Sequence, residues 1–295
     1  MKNSSPALTR LAGAGMARRR YVDRLMRLLL MASVGVSLLF LALVVLYLAQ
    51  QGLQGLNWSF FTQPNKPVGA PNPGVANAIL GTLLMVGLGA LMAVPIGVVA
   101  GLYAAEYGKN NLLGYWVHYM ADVLSGIPSI VVGIFVYAWI VIRMGTYSGF
   151  AGSVSLAIIM LPVIVRTTEE MLRLIPDSLR EAGLALGLPR YKVLFGIILP
   201  AAWSGIVSAI ILAIARAAGE TAPLLFTALS NQFISWNMAK PMASLPVTIF
   251  NYAISPYDEW HVQAWAAGLT LLALVLLLSL LGRLLSSRQR SWSQR

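Results

Sequence analysis

Long stretches without charged residues determine what this chain can fold into. Of its 295 residues, 58% are hydrophobic and only 11% are charged, whereas soluble globular domains carry about 25% charged residues. A helix needs about 20 consecutive apolar residues to cross the hydrocarbon core of a bilayer. Stretches that meet this requirement are Leu28–Ala49, Ala76–Ala105, Val123–Ile142 and Val262–Gly282. The chain is therefore predicted to be an integral membrane protein made of helices.

Two further stretches complete a set of six spans. Residues 144–165 begin polar and glycine-rich and become apolar in their second half, which predicts a helix that starts at the outer surface. A stretch from Ala201 into the 220s is apolar on both sides of Arg216 and Glu220. Pro128 lies near the start of the third span and lacks a backbone donor, so we expect that helix to bend. The predicted fold is all-α with six transmembrane helices.

The basic residues predict the orientation of these spans. Lys and Arg near helix ends are retained on the cytoplasmic side, and an arrangement with both termini in the cytoplasm places most of the 21 Lys and Arg there. Residues 1–25 are predicted to form a poorly ordered cytoplasmic tail, residues 26–285 the membrane domain, and residues 286–295 a second cytoplasmic tail. The net charge of +11 is mostly this orientation signal, so we expect no nucleic-acid partner.

The cytoplasmic loop at 176–200 has the pattern of two short helices joined by a corner. Ser178 and Glu181 have the spacing of a capping box. Gly187 can adopt the left-handed conformation that ends a helix, and Pro189 suits the first position of the next one. The first helix would present an apolar face formed by Leu179, Ala182, Gly183 and Leu186.

Two interpretations of this loop are open from its residues alone. It could be an amphipathic connector that lies along the membrane surface, with Glu181 acting only as a helix cap. Alternatively, its apolar corner could contact another protein. The pattern of polar and apolar residues suits both.

Two charges within the sixth apolar stretch are costly to bury and so point to a cavity or a partner. Arg216 and Glu220 are four residues apart and would share one face of a helix, while a central Arg costs about 2.5 to 3.5 kcal/mol on insertion scales. They could pair with each other or across a subunit interface, or Arg216 could line the path of an anionic substrate together with Glu220 and Thr221. Arg166 is a second candidate for that path, although near a helix end it could equally be an interfacial anchor.

Arg166 could also pair with Glu169 or Glu170, which are three and four residues away on the same helix. Asp122 is predicted to lie at the inner membrane interface and is assigned no role.

Other kinds of chemistry find no support in the sequence. The chain has no cysteine, which excludes disulfides and thiolate sites, and no GxxxxGK[ST] segment that would bind ATP phosphates. His118 and His261 are isolated in the sequence and are interpreted as interfacial residues rather than metal ligands. We therefore expect no catalytic residue, no metal and no cofactor in this chain.

The loop residues EAGLALGLPRYKVLFGIILP, from Glu181 to Pro200, resemble the EAA loop of ABC importer permeases. Further stretches are similar to the phosphate importer permeases of the PstA family. These stretches are GIPSIVVGIFVY at 126–137, VRTTEEML at 165–172, ARAAGETAPLLFTALSNQF at 215–233 and LPVTIF at 245–250. Gly183 departs from the second Ala that is frequent in the EAA loop, but a glycine still permits close packing.

This resemblance implies a type I importer permease in the bacterial cytoplasmic membrane. It implies a second related permease, two ATPase subunits that bind ATP, and an extracytoplasmic phosphate-binding protein as partners, with phosphate as the substrate and lipid as the surroundings. Docking to the ATPase would involve Glu181, Ala182, Leu186, Gly187 and Pro189. The same residues leave open a permease for sulfate or another oxyanion, or a membrane scaffold or sensor without transport.

Overall fold

The computed structural model describes the backbone of residues 6–108 and 111–290, with side chains for residues 19–282 except 109 and 110, and for Leu284. The described residues form helices and connecting loops. In chain order the helices are α1 Pro6–Gly55, α2 Trp58–Thr62, α3 Ala76–Glu106, α4 Leu112–Gly126, α5 Ser129–Val136, α6 Ile142–Met144, α7 Gly149–Arg173, α8 Asp177–Ala185, α9 Arg190–Val193, α10 Leu199–Ala218, α11 Ala222–Thr227, α12 Leu245–Ala253 and α13 Asp258–Arg290.

Five helical segments of the described chain are long and apolar enough to cross a membrane. They are Arg19–Gly55, Ala76–Glu106, Gly149–Arg173, Arg190–Ala218 and Asp258–Gly282. A sixth span is possible if α4 and the segment from Ser129 to Met144 act as one broken span. These spans agree with the predicted all-α membrane fold.

The third predicted span, Val123–Ile142, is not a single straight helix. The chain turns by 102° between α4 and α5, at Ile127 and Pro128, where both residues leave the helical conformation. The expected bend at Pro128 is therefore a complete break. A π-helical turn at Tyr137–Val141 then connects α5 to α6.

Residues 6–25, part of the stretch predicted as a poorly ordered tail, belong to the helix α1 in the structure. Residues 1–5 lie outside the described residues. At the other end, α13 continues to Arg290, so the predicted tail at 286–295 begins as helix, and residues 291–295 are outside the description. The described residues up to Gln50 form one compact unit, and those from Gln51 onward form a second.

The core of the second unit is built on close packing of α3 against α7. Gly97 and Gly101 make this approach possible: a Cβ at Gly97 would lie 2.8 Å from Ile164, and one at Gly101 would lie 2.7 Å from Thr168. Small residues allow membrane helices to approach closely and gain dispersion contacts. At the outer end, the Thr82 hydroxyl accepts a hydrogen bond from the Leu245 backbone at 2.8 Å and fixes the start of α12 to α3.

Candidate functional site

A polar cavity of about 320 Å³ lies at the break between α4 and α5. Arg216 and Glu220 are its charged lining residues within the described chain. The remaining walls come from the segment 124–129, from Val132 on α5, and from Ile159, Pro162 and Val163 on α7. The two charges predicted to lie near a substrate path therefore do line one cavity.

The way in which Arg216 and Glu220 reach this cavity differs from the prediction. They were expected on one face of a continuous helix, but α10 ends at Ala218 and Gly219 follows as its C-cap. Glu220 thus lies in the connection to α11. Among the described residues, no carboxylate lies within 4 Å of Arg216. Arg216 and Glu220 are therefore not paired with each other within this chain.

The break in the helix adds a favourable environment for an anion. Pro128 and Ser129, at the N-terminus of α5, both line the cavity. The first N–H groups of a helix have no partner within the helix and carry partial positive charge. Discontinuous membrane helices use such ends to bind anionic groups. Arg216 and the start of α5 therefore reinforce each other, while Glu220 opposes them.

Thr221, the third predicted path residue, is half-buried at the N-cap position of α11. Thr221 is not among the described residues that line the cavity. Its backbone carbonyl accepts bonds from Leu224 and Leu225, so its visible contribution is to the start of a helix.

Arg166 belongs to a separate network of charges between α4 and α7. It pairs with Asp122, contacts the ring nitrogen Nδ1 of His118 at 3.4 Å, and lies 3.8 Å from Glu169. Glu169, of which only 2% of the side chain is exposed, also lies 3.0 Å from His118 and 2.5 Å from Arg173. A nearly buried carboxylate is costly unless cations surround it. The network therefore balances Glu169 and joins the two helices.

This placement answers three predictions from the sequence. Arg166 is a partner of Glu169, as one interpretation held, and it is absent from the cavity of Arg216. His118 is not isolated, and Asp122 has a clear partner. The spacing of Arg166 and Glu169 in the sequence predicted their contact. The contacts with α4 could not be predicted in this way, because its residues are about 50 positions away along the chain.

The cytoplasmic loop folds into the predicted corner of two helices, α8 and α9. Gly187 has φ of +78°, the left-handed conformation that glycine adopts most readily. Pro189 follows as the N-cap of α9, so the helix begins at Arg190, one position later than predicted. Gly183 is buried, and a Cβ there would lie 2.9 Å from Val193, so the departure from Ala at this position allows the two helices to approach closely.

Other details of this corner differ from the predictions. The capping box of Ser178 and Glu181 is absent, because α8 begins at Asp177 after Pro176, and no side chain caps its first turn. The second short helix does not stop at Pro200. It continues through a π-helical turn at Leu194–Ile198 directly into α10.

The predicted docking residues all lie at the surface. Glu181, Ala182, Leu186, Gly187 and Pro189 are exposed, and 80% of the Leu186 side chain is accessible. Leu179 and Leu184 of the same corner are exposed as well, and apolar side chains grouped at a surface are typical of protein interaction sites. The corner is thus available for a protein contact.

Arg180 fixes this corner to the rest of the second unit, a role that the sequence did not reveal. Its guanidinium donates to Glu106 at the end of α3 at 2.8 Å. It also donates to the backbone carbonyls of Leu172 at 2.9 Å and Ile175 at 2.7 Å, and to Asp177 at 3.0 Å. Hydrogen bonds to Glu106, more than any other contact, raise the pKa of Arg180 above its ordinary value. The residue stays charged and links α3, α7 and α8.

Comparison with known proteins gives a consistent family. Residues 97–291 match the family described as "Binding-protein-dependent transport system inner membrane component". The chain is 44% identical over 274 residues to the phosphate transport system permease protein PstA of Yersinia pestis, covering 93% of each protein. It is also 44% identical over 268 residues to PstA of Haemophilus influenzae, covering 90% of this chain and 94% of that protein.

Solved structures show the same fold. A bacterial alginate ABC transporter in complex with its alginate-bound periplasmic protein matches with a TM-score of 0.64 at 16% identity, over 92% of this chain and 96% of that chain. An inward-facing MetNI methionine ABC transporter matches with a TM-score of 0.57 at 22% identity, over 73% of this chain and 94% of that one. At these identities the likeness concerns the fold alone.

Proposed function

Since the chain belongs to the binding-protein-dependent transport system inner membrane components, and among them to the PstA phosphate permeases, we propose that it conducts inorganic phosphate as one permease subunit of an ATP-driven importer. It is a multi-pass protein of the bacterial inner membrane. A second, related permease completes the translocation path. Two ATPase subunits bind and hydrolyse ATP, and an extracytoplasmic phosphate-binding protein delivers the ion, so this chain itself needs no cofactor.

The observation that carries this proposal is Arg216, which lines a polar cavity without a carboxylate partner within 4 Å in the described chain. A positive charge that is not neutralised by the protein can be neutralised by a passing oxyanion. The N-terminus of α5 supplies additional positive potential on the same cavity. Glu220 lowers the net attraction, which favours release of the anion instead of permanent binding.

The path from the docking corner to this cavity is a continuous helical segment. Residues 190–218 run without interruption through α9, the π-helical turn and α10. Arg190 at one end belongs to the corner, and Arg216 near the other end is 26 residues away, about 39 Å along a helix. A displacement of the corner by the ATPase subunits would therefore be transmitted to the cavity through one rigid element.

The proposed transport cycle is alternating access. ATP-driven closure of the ATPase pair moves the docking corner, with Glu181, Ala182, Leu186, Gly187 and Pro189 at the contact. The helices rock, and the cavity at Arg216 is exposed first to the outer side and then to the cytoplasm. Arg166 does not line this cavity, because its carboxylate partners hold it between α4 and α7.

Reconstitution of the complete importer in proteoliposomes tests the proposal. Arg216→Gln should abolish uptake of labelled phosphate, because it removes the charge from the cavity. Arg143→Gln is the matched control, since Arg143 is exposed and does not line the cavity. Unchanged uptake with Arg216→Gln would make the assigned path wrong.

The same liposomes distinguish the alternatives. Excess unlabelled sulfate that inhibits uptake as well as phosphate does would indicate a general oxyanion permease. Complete absence of ATP-dependent uptake by an intact, ATP-hydrolysing complex would favour a scaffold or sensor.

A further inference from the structure

A second cavity, of about 330 Å³, lies on the side of the protein that is predicted to face outward. We call it the outer cavity. Its walls come from two loops, from α12 and from the start of α13. The lining residues are Asn65, Lys66, Leu229, Ser230, Asn231, Gln232, Thr248, Asn251, Tyr252 and Trp260. None of the predicted path residues is among them.

Buried hydrogen bonds hold the two loops of the outer cavity in place. Asn77, which is 3% exposed near the start of α3, accepts a bond from the backbone N–H of Asn65 at 3.0 Å and donates to the carbonyl of Asn231 at 2.6 Å. Asn231 in turn donates to the carbonyl of Pro241 at 3.1 Å. One amide thus connects both walls, so the cavity is a built feature of the fold and not a gap between mobile loops.

The charge of the outer cavity is positive. Lys66 is the charged residue of its lining in the described chain, and no carboxylate lies within 4 Å of its ammonium group among residues 19–282. The ammonium group donates one bond, to the carbonyl of Pro71 at 3.0 Å, which leaves two of its three donors. Glu259 is not a lining residue of the outer cavity, and its carboxylate accepts a hydrogen bond from the backbone N–H of Gly69 at 3.1 Å.

Several polar atoms in these walls lack a hydrogen-bond partner. They include the hydroxyl oxygen of Thr248, which is 1% exposed, the indole Nε1 of Trp260 and the side-chain oxygen of Asn65. A buried polar group without a partner costs about 1 to 3 kcal/mol. A ligand that accepts from Thr248, Trp260 and Lys66 would recover this cost once the Thr248 and Trp260 side chains rotate toward the cavity. Burial raises the pKa of Tyr252 to about 12, so its phenol remains a neutral group beside such a ligand.

These features suit one class of ligand. An ammonium group, an indole N–H and hydroxyl groups around one cavity recognise a small tetrahedral oxyanion. The oxygen of Asn65 can accept the proton of a hydrogen phosphate, which sulfate lacks at neutral pH.

We infer that the outer cavity is a separate binding site for a phosphate group, which would receive inorganic phosphate before it reaches the cavity of Arg216. The identity of the ion rests on the proposed function. The headgroup of an outer-leaflet phospholipid offers the same chemistry and is the other possible source of the group.

Direct binding of labelled inorganic phosphate to the purified importer in detergent, without ATP or binding protein, tests this site. Measured in an Arg216→Gln background, the remaining binding reports the outer cavity. Lys66→Gln added to that background should weaken the remaining binding about tenfold or more, the value of one charge-assisted hydrogen bond. Lys240→Gln is the control, since Lys240 is exposed and does not line the outer cavity.

Trp260→Phe provides a second, milder variant. It removes the N–H but keeps a ring to stack on Tyr252, whose centroid is 4.7 Å away, so folding should be retained and phosphate binding should weaken. Equal phosphate binding by the Arg216→Gln protein with and without Lys66→Gln and Trp260→Phe would overturn the inference.

Native mass spectrometry distinguishes the source of the phosphate group. If one phospholipid is retained and is lost with Lys66→Gln, and free phosphate does not bind measurably, the outer cavity does not receive inorganic phosphate on its way to the cavity of Arg216. The proposed function fails in a different assay, when the unmodified importer takes up no phosphate in liposomes. The outer cavity fails when that importer transports normally and the Lys66 and Trp260 variants bind phosphate as the control does.

Discussion

The contact between Arg180 and Glu106 should determine how firmly the docking corner is held, and its removal gives a measurable loss of stability. Both side chains are largely buried, at 19% and 17% exposure. Arg180→Gln removes the ion pair and also leaves the carbonyls of Leu172 and Ile175 without their donor. Glu106→Gln removes the charge of one partner only, since Arg180 keeps Asp177 and both carbonyls.

The expected energies follow from these contacts. Removing one member of a buried ion pair costs about 3 to 5 kcal/mol, and the partial exposure of this pair places Arg180→Gln near about 3 kcal/mol. Glu106→Gln should cost about 1.5 to 3 kcal/mol, the range of one hydrogen bond to a charged group. The double variant should cost less than the sum by about 1 kcal/mol, because both changes remove the same contact.

Unfolding of the purified protein in mixed micelles titrated with SDS measures these differences. Arg190→Gln is the matched control, since Arg190 is an exposed arginine of the same corner and should change the free energy of unfolding little. The proposed coupling adds a second readout: Arg180→Gln should lower the amount of phosphate transported per ATP hydrolysed. If the two single changes add within about 0.5 kcal/mol, the pair does not hold the corner and the reasoning is refuted.

Three further results are expected. Gly187→Ala should cost about 1 kcal/mol and reduce coupling, because φ is +78° there. Gly196→Ala, in a helical turn where a Cβ meets open space, should not destabilise the protein or reduce coupling; an equal loss in both variants would contradict this. Glu169→Gln should destabilise the importer in thermal unfolding by leaving two arginines without their shared carboxylate, and an unchanged melting temperature would argue against the network. Burial raises the pKa of Tyr252 to about 12, so its contribution to stability should be complete below about pH 10 and should be lost as the pH rises toward 12. Ultraviolet absorbance of tyrosinate should show one tyrosine that ionises late in the unmodified protein and is missing in Tyr252→Phe. If no tyrosine ionises late, the burial of Tyr252 is contradicted.

The membrane fold and the docking corner could be predicted because both depend on local patterns. Apolar runs of sufficient length mark the spans, and Gly187 and Pro189 mark a corner through their own backbone preferences. The prediction of a capping box was wrong for a local reason as well, because the helix begins directly after Pro176, at Asp177, one residue before Ser178.

Contacts between distant segments could not be predicted from one sequence. Arg180 reaches Glu106 across 74 positions and Arg166 reaches His118 across 48, and no spacing rule connects such residues. The same holds for Asn77 and the loops that it joins. The cavity of Arg216 was anticipated from the cost of a charge in a membrane, but the end of α10 at Ala218 and the helix break at Pro128 shape it.

The central claim is that Arg216 lines the path of phosphate, and that ATP hydrolysis drives transport along this path. The most direct test measures labelled phosphate uptake and ATP hydrolysis in the same proteoliposomes, for the unmodified importer, Arg216→Gln and the control Arg143→Gln. We predict that Arg216→Gln hydrolyses ATP while its ratio of phosphate transported to ATP hydrolysed falls close to zero, and that Arg143→Gln keeps the ratio of the unmodified importer. An unchanged ratio with Arg216→Gln would contradict the claim.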